Sequence, residues 1–578
     1  MATSTLNAET VLALDIGTIH TRGLLFDVVE GNYRLIASGT VPSTVNAPFF
    51  DVSESVHQVV LHLEEITGRE LLDRDNQSLI IPAVEGSGID RMAVTISAGS
   101  KLNLVITGLL PDVSLESARR LAVSIYGNVV ESIYLTDSRE REEQIDAILR
   151  AKPDLVLMAG GTEDGATRSV LSMVEVVTMV CRLLPEGKRP VIIFAGNQRL
   201  AERITKTLEK LTAVYSVPNI RPNIDSEDLD AAQHELAEII GLIRSYQIGG
   251  LEELYKMSGV AIMPTAYTFG RMVRYLSRIS AYGKTVLGLD VGAGSTTIAA
   301  AQRGKLMLSV LPYGLGSGIA EVLRSGTLES IRYWLTQSLP DDVLQDYFWQ
   351  KTLFPASIPM TEESLAIEEA FTRHVIQLSM RQAAKLYPGM GTSFEPIIVS
   401  GSMLSQGVSQ SRALLMLLDG LQPVGVSTIA LDINNTLASL GAIARINQVL
   451  PAQVIEGGVL LNLGTVICPA CEEKPGRPVM KVKLEYESGG SVEVEARQGT
   501  IQAIPLKQGQ SARVQMTAYR NTSIDLRSGA KSGGFRVNGG MFGVIIDARG
   551  RPFTLPSSAA ERQELYRGWN AALKKGSA

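Results

Sequence analysis

The sequence predicts an α/β protein with a duplicated core, an α/β insertion in its first half and an all-β module at its C-terminal end. Three observations predict it. A strand–turn–strand unit around Asp15 recurs around Asp290, apolar strands alternate with helices between the two units, and short alternating strands follow residue 451. The predicted division is 1–283 for the first half, with the insertion around 110–245, 284–450 for the second half, and 451–578 for the all-β module with a terminal helix.

The first unit, "VLALDIGTIHTRGLLFDVV" at residues 11–29, consists of two apolar runs on either side of Asp15-Ile16-Gly17-Thr18. An acid, a glycine and a hydroxyl at the end of a buried strand either close a tight turn or hold a ligand. From residue 285, "TVLGLDVGAGSTTIAAAQ" repeats the order of strand, Asp-x-Gly and return strand. Because the same unit occurs in both halves, the repeat favours a ligand site over a merely structural hairpin.

Between the two units, "MAVTISAG" and "LNLVITGLL" are predicted to form a pair of strands. Helices and near-continuous apolar strands then alternate as far as "VYSVP", a pattern typical of a parallel sheet covered on both faces. In the second half, the strand "EPIIVSGSML" ends at Ser400-Gly401-Ser402, and "NTLASLGAIA" at 435–444 is a small-residue helix. Beyond residue 451, turn dipeptides separate alternating strands, and a polar helix at 559–575 closes the chain.

Two facing Asp-x-Gly turns suit a phosphate group. Glycine lets the backbone approach closely, and the backbone amides can donate to phosphate oxygens. Hydroxyls offer further donors, from Thr18, Thr21, Ser295 and Thr296. The carboxylates of Asp15 and Asp290 would repel phosphate unless Mg²⁺ with its waters lies between them. The turn at Gly401 could pass beneath an adenine and ribose, so we expect a nucleotide site with Mg²⁺.

The order of hairpin, hairpin and glycine turn resembles the actin, sugar-kinase and heat-shock-chaperone ATPase superfamily, whose halves are ribonuclease H-like. The resemblance implies a first phosphate loop, a second phosphate loop and an adenosine loop, and places the small-residue helix between the halves. The implied ligand-binding residues are Asp15, Gly17 and Thr18, then Asp290, Gly292, Gly294, Ser295 and Thr296, and finally Gly401 with its neighbour Ser402. It also implies that Asp15 and Asp290 hold the metal ion and serve catalysis.

Within that superfamily, "SAGSKLNLVITGLLPDVSLESARRLA" and "KPDLVLMAGGTEDGATRSVL" are similar to the glutamate mutase L family, companions of cobalamin-dependent mutases. "DVGAGST" also resembles the large subunit of diol dehydratase reactivases, which are ATP-driven chaperones of cobalamin enzymes. These resemblances imply a slow ATPase that acts as a reactivase or accessory factor, with a cobalamin-dependent mutase as its protein client. Asp164, in the second of these segments, could orient the attacking water if it reaches the cleft; the alternative is an acid complementing a helix dipole.

Two other functions stay open. "DIGTIHTRGLLFD" is close to the first loop of glycerol kinases, so a sugar or polyol kinase is one alternative, although no aspartate stands in a convincing motif for the base that such an enzyme needs. The other alternative is an actin-like protein that assembles into a homo-oligomer or filament.

Composition bounds the partners and the compartment. The net charge is −6 and no run is rich in lysine or arginine, which disfavours a nucleic-acid groove. The most apolar stretch, at 169–184, contains Glu175 and is shorter than the ~20 residues that span a bilayer. Three cysteines cannot build a disulfide framework, and the first ten residues lack the pattern of a signal peptide. We therefore expect a cytoplasmic protein that binds neither nucleic acid nor membrane.

Overall fold

The computed structural model describes residues 9–75, 77–163, 165–280, 283–525 and 534–577. The first half begins with a three-stranded meander, followed by a helix and a parallel strand. These elements are β1 (Val11–Ile16), β2 (His20–Val29), β3 (Asn32–Pro42), α1 (Ser53–Thr67) and β4 (Arg91–Ile96).

The insertion follows as five parallel strands with helices between them. Its elements are β5 (Leu102–Gly108), α2 (Glu116–Ala122), β6 (Gly127–Tyr134), α3 (Arg141–Ala151), β7 (Leu155–Met158), α4 (Thr167–Leu183), β8 (Val191–Phe194), α5 (Gln198–Leu208), β9 (Val214–Ser216) and α6 (Asp230–Gln247). The strand order β6-β5-β7-β8-β9 leaves both faces to be covered by helices, which explains why the inner strands β7 and β8 are apolar throughout, whereas the edge strand β6 is half-buried and carries polar residues. The prediction that β4 and β5 form a pair was wrong, because β4 belongs to the sheet of the first half and β5 opens the insertion.

The chain then returns to the first half and enters the second. These elements are α7 (Leu251–Ser258), β10 (Met263–Pro264), α8 (Thr265–Ile279), β11 (Thr285–Val291), β12 (Thr296–Gln302), β13 (Lys305–Leu311), α9 (Ile319–Ser325), α10 (Leu328–Arg332), α11 (Asp341–Leu353), α12 (Glu362–Leu386), β14 (Phe394–Ser400), α13 (Ser402–Ser405), α14 (Gln410–Leu421), β15 (Gly425–Leu431), α15 (Thr436–Ile443) and α16 (Val449–Glu456).

The two halves share one topology. The first sheet has the order β10-β4-β1-β2-β3, and the second contains β15-β14-β11-β12-β13 in the same arrangement. In both, the opening strand pairs antiparallel with the return strand of its hairpin and parallel with the later strand on its other side. This repeated order confirms the predicted duplicated actin-like core.

The C-terminal region is rich in strands, but it is not a separate layer. Its elements are β16 (Leu461–Cys468), β17 (Ala470–Cys471), β18 (Pro478–Tyr486), β19 (Ser491–Arg497), β20 (Ile501–Ile504), β21 (Ser511–Ala518), β22 (Thr522–Ser523), β23 (Phe535–Asn538), β24 (Val544–Asp547) and α17 (Ala559–Gly576). Strands β19, β18, β21 and β23 form their own antiparallel sheet, whereas β16, β24 and β20 extend the sheet of the second half beyond β15. The boundary predicted at residue 451 therefore cuts across a continuous sheet.

A buried charge cluster joins this region to the second half. The carboxylate of Asp419, on α14, accepts hydrogen bonds from Arg373 Nε at 2.7 Å, from an Arg549 guanidinium nitrogen at 2.7 Å and from Tyr566 Oη at 2.6 Å. Arg549 and Tyr566 come from the C-terminal region, and Asp419 is fully buried. Removing that region would leave Asp419 and Arg373 exposed or short of partners.

Helix α15 lies between the two halves, as the resemblance to the superfamily implied. All of its residues are buried, and it packs on α8 and β4. At Gly441 a Cβ atom would collide with the carbonyl oxygen of Thr268, so only glycine permits this approach of the two helices. Among the described helices, none is both long and apolar enough to cross a membrane.

Candidate functional site

A cavity of about 420 Å³ lies between the two halves, where the opening strand of each sheet ends. This volume is in the ordinary range for small-molecule sites, ~300–1,000 Å³. Nine of the residues predicted from sequence line it, namely Asp15, Gly17, Thr18, Asp290, Gly292, Gly294, Ser295, Gly401 and Ser402.

The two Asp-x-Gly turns are built alike and approach each other. In the first, Gly17 N donates to the His20 carbonyl at 2.9 Å; in the second, Gly292 N donates to the Ser295 carbonyl at 3.0 Å. A methyl group on Gly294, in the second turn, would lie 3.8 Å from Thr18 Oγ1, in the first turn. The two turns are therefore close to van der Waals contact. Backbone amides and hydroxyls from both halves therefore converge on one volume, an arrangement suited to an anion.

Asp15 is fully engaged. Its Oδ1 accepts hydrogen bonds from Thr95 Oγ1 at 2.7 Å and from Thr265 Oγ1 at 2.9 Å, and its Oδ2 lies 3.4 Å from a guanidinium nitrogen of Arg22. Arg22 stands directly opposite Asp15 in the hairpin register, and Thr95 stands opposite it on the parallel strand β4. The first half thus neutralises its own carboxylate.

Asp290 occupies the equivalent position without those partners. Thr297 stands where Arg22 stands in the first hairpin, and Ser400 stands where Thr95 does. The hydroxyl of Ser400 donates to Asp432 instead, at 3.2 Å, and no described residue has a hydrogen bond or ion pair to Asp290. Burial, and then the negative charge of Asp15, raise the pKa of Asp290 to about 7. The duplicated site is therefore electrostatically asymmetric.

Two of the predicted hydroxyls face away from the cavity. Thr21 Oγ1 donates to Ser55 Oγ at 3.0 Å, and Thr296 Oγ1 donates to the Tyr313 carbonyl at 2.7 Å. Both side chains are fully buried. Successive side chains of a strand alternate between its faces, so the following residues, Arg22 and Thr297, line the cavity instead.

The glycine turn after β14 is held in a special conformation. Gly401 has φ of 119°, and a Cβ atom there would collide with the carbonyl oxygen of Val291. Its N–H donates to Asn435 Oδ1 at 2.7 Å. Met403 and Ala438 also line the cavity and add apolar surface to its wall.

Asp164 lies outside the described residues. Its neighbour Glu163 accepts hydrogen bonds from Asn219 Nδ2 at 2.7 Å and from the backbone of Gln198 at 3.3 Å. All three of these residues belong to the insertion, and Glu163 does not line the cavity.

The structure adds residues that sequence reasoning missed. Tyr126, from the insertion, reaches the second turn, and a methyl group on Gly294 would lie 3.6 Å from its hydroxyl. Lys351 and Glu368 line the far end of the cavity as an ion pair of 2.6 Å. Of the missed residues, Arg22 could have been predicted from the sequence, because a hairpin closed by the Gly17 turn places it opposite Asp15.

The carboxylates in the cavity suit a metal ion whose coordination is completed by ligands from outside the protein. Among the described residues no cluster of three histidine, cysteine or acidic side chains could hold a metal. Mg²⁺ commonly binds through one or two carboxylates together with substrate phosphates and waters. Asp290 fits that requirement better than Asp15, because the carboxylate oxygens of Asp15 are already engaged.

The fold and cleft define a protein of the duplicated actin-like class with facing Asp-x-Gly turns. Residues 11–458 match the family model described as MutL protein, and the chain therefore belongs to this family, glutamate mutase L, as the sequence predicted. The matched region ends just before β16.

One relative is Protein MutL of Clostridium tetanomorphum, which is 20% identical over 414 residues, covering 67% of this chain and 82% of that protein. Among solved structures, a diol dehydratase-reactivating factor in nucleotide-free form is 11% identical with a TM-score of 0.31, covering 76% of this chain and 99% of that one. Gluconate kinase from Lactobacillus acidophilus is also 11% identical with a TM-score of 0.31, covering 79% of this chain and 93% of the kinase.

Proposed function

We propose that the chain binds ATP with Mg²⁺ in the cleft, hydrolyses it slowly, and acts as a reactivase or accessory factor for a cobalamin-dependent mutase. The observation that carries the nucleotide proposal is the pair of like turns, one from each half, with the unpaired carboxylate of Asp290 between them. Membership of the glutamate mutase L family supports the accessory role.

Each part of the cleft has a task in this proposal. The turn amides, with the hydroxyls of Thr18 and Ser295, bind the phosphates, and the Gly401 turn supports the adenosine. Asp290 would hold the metal ion, and Asp15, fixed by Arg22, would be available beside it as a hydrogen-bond acceptor for water. Bound Mg²⁺ would neutralise the negative charge of the phosphates and of Asp290. Asp164 as the residue that orients the attacking water remains part of this proposal.

The cleft geometry also gives a route from nucleotide to partner. A nucleotide that contacts both turns binds the closed arrangement of the halves better than an open one. Moving such an equilibrium from 1:99 to 99:1 requires ~5.5 kcal/mol of differential binding. Suppose that a partner prefers one arrangement of the halves. By linkage, the factor by which the nucleotide changes the affinity for the partner must equal the factor by which the partner changes the affinity for the nucleotide.

The proposal is tested first by titrating ATP calorimetrically with and without Mg²⁺. Phosphate release without any added sugar is expected, whereas a kinase would require its acceptor. ATP-dependent pelleting would favour the filament alternative.

The partner is tested by capturing a purified cobalamin-dependent mutase with ATP, ADP or no nucleotide, and by measuring recovery of inactivated mutase. Capture that ignores the nucleotide, or no capture and no recovery, would leave nucleotide binding standing and would remove the reactivase function.

A further inference from the structure

Residues 349–360 carry an unusual concentration of exposed apolar side chains, here called the apolar ridge. Its members are Trp349, Leu353, Phe354, Ile358 and Met360, with 68%, 72%, 68%, 76% and 87% of their surface exposed. Single exposed apolar residues are ordinary, but a contiguous group marks an interaction surface. The ridge spans the end of α11 and the loop that leads into α12.

The ridge is held in place by buried polar contacts. Lys351 Nζ donates to the Ser357 carbonyl and forms an ion pair of 2.6 Å with Glu368 on α12. Tyr347 Oη also donates to Glu368, at 2.8 Å. These contacts tie the loop to both neighbouring helices, so the apolar side chains are presented on an ordered surface.

The inner side of the same loop forms a wall of the cleft. Residues 355–359 line the cavity. A methyl group on Gly316 would lie 3.0 Å from Pro355 Cβ, 3.2 Å from Ala293 Cβ and 3.2 Å from Ile19 Cδ1. Pro355 is therefore near both phosphate turns, since Ile19 belongs to the first and Ala293 to the second. This is the contact through which a movement of either turn would reach the ridge.

The charge around the ridge is acidic. Exposed carboxylates precede and follow it in the chain, at Asp342, Asp346, Glu362 and Glu363, and of these Glu362 lies 3.8 Å from a guanidinium nitrogen of Arg412. The cation within 341–363 is Lys351, which is buried and already paired with Glu368. An apolar centre with an acidic rim is complementary to an apolar surface rimmed by lysine and arginine.

We propose that the apolar ridge is the docking surface for a partner protein with an apolar, basic-rimmed face, and that its affinity follows the nucleotide state of the cleft. The inference rests on the proposed function for the identity of that partner, a cobalamin-dependent mutase.

The experiment replaces three ridge residues that do not line the cavity, as the triple variant W349S/F354S/M360S. A second variant, D346K/E363K, reverses the rim charge at two exposed positions and leaves the Glu362–Arg412 ion pair in place. The matched controls are L183S/I66S, whose residues are 58% and 50% exposed elsewhere, and E186K. All variants should bind ATP as the wild type does, which shows that the cleft is folded.

Two probes are used: the purified mutase, and a helical peptide of leucine and lysine with one apolar face. We expect both ridge variants to bind each probe at least tenfold more weakly, the controls to be unchanged, and added salt to weaken peptide binding. ATP should change the acrylamide quenching of Trp349, because Trp334 and the other tryptophan, Trp569, are buried.

The outcomes separate the two proposals. Mutase that binds wild type and ridge variants equally would overturn the docking surface while leaving the proposed function intact. If wild type binds no mutase, the client proposal fails, and the peptide arm alone decides the surface, which is rejected if the triple variant binds peptide normally. A dimer of the wild type that only the triple variant abolishes would assign the ridge to a second copy of the chain. Binding to anionic phosphatidylglycerol vesicles that only the triple variant abolishes would assign it to a membrane. Either result would overturn the inference.

Discussion

Replacing Asp290 with asparagine is expected to stabilise the metal-free protein while weakening Mg²⁺-dependent nucleotide binding. The carboxylate lies in the cleft near Asp15, and no described residue has a hydrogen bond or ion pair to it. Burial, followed by repulsion from Asp15, raises its pKa to about 7. Asparagine has nearly the same shape and no charge, so it removes this electrostatic cost.

The size of the effect follows from the pKa. A carboxyl with a folded-state pKa of about 7 and an unfolded value of ~3.9 contributes stability that is fully present below pH 3.9 and is lost as the pH rises through 7. Relative to a neutral side chain, ionisation costs the fold about 1.5 kcal/mol at pH 5 and about 4 kcal/mol at pH 8. For a chain of 578 residues, whose unfolding entropy is ~1.2 kcal/mol/K, we expect the melting temperature of Asp290→Asn to exceed that of wild type by roughly 3–4 °C at pH 8, and by much less at pH 5.

The assay is thermal melting in EDTA from pH 5 to pH 8, repeated with Mg²⁺ and ATP. Ligand binding stabilises wild type by RT ln(1 + [L]/Kd), and the variant should gain less. Asp15→Asn is the matched control at the equivalent position. It removes a carboxylate that is paired with Arg22, so it should lower the melting temperature, because breaking a buried pair costs about 3–5 kcal/mol. If Asp290→Asn is less stable than wild type in EDTA at pH 8, then Asp290 has a stabilising partner and is not the free metal ligand.

Three further predictions concern the C-terminal junction, a buried histidine and the second turn. Asp419→Ala should lower the free energy of unfolding by about 3–5 kcal/mol, since it leaves two buried arginines without this carboxylate. Urea unfolding followed by tryptophan fluorescence measures this change, and an unchanged midpoint would contradict the buried cluster. Burial lowers the pKa of His374 to about 4, so this residue contributes stability above pH 6.5 that is lost as the pH falls towards 4. In a plot of melting temperature against pH, His374→Leu should therefore show a smaller decrease between pH 6.5 and pH 4 than the wild type. Gly294→Ala should leave the melting temperature almost unchanged, like the control Gly187→Ala, but weaken ATP binding measured by calorimetry about tenfold, roughly 1.4 kcal/mol, because its methyl group projects between the two turns; equal affinities would place the phosphates elsewhere.

The duplication could be predicted from sequence because its signal is local. Each hairpin consists of adjacent strands around one Asp-x-Gly turn, so a dozen residues specify it. The pairing of β15 with β16 carries no such signal, since the sequence changes from helix-rich to strand-rich at that point and the sheet continues across the change. Composition predicts the kind of element, whereas sheet membership depends on pairing between distant segments. The same limit applies to β4 and β5, which are neighbours in the chain and lie in different sheets.

Within the site, residue type was a weaker guide than register. Thr21 and Thr296 have suitable hydroxyls, but both lie one position away from the residues that share a face with the aspartates. The pairing of Asp15 with Arg22, and of Asp290 with Thr297, follows once the turn closes at its glycine. Tyr126 and Lys351 could not have been found in this way, because they reach the cleft from the insertion and from α11 through tertiary packing.

The difference between Arg22 and Thr297 makes the two halves of the duplicated cleft electrostatically unequal. The first half pairs Asp15 with an arginine, whereas Asp290 in the second half has no partner among the described residues, and the charge of Asp15 adds to burial in raising its pKa. In the proposed function, a divalent cation that binds with the phosphates would remove that repulsion and would give both turns a common ligand. We therefore expect closure to be favoured when metal and nucleotide are present together, and we expect Pro355, which lies near both turns, to transmit the change to the apolar ridge. Restoring the symmetry with Thr297→Arg should therefore remove the metal requirement for closure: in EDTA, the quenching of Trp349 should move towards the value that wild type shows with Mg²⁺ and ATP, and a variant that still needs the metal would refute this coupling.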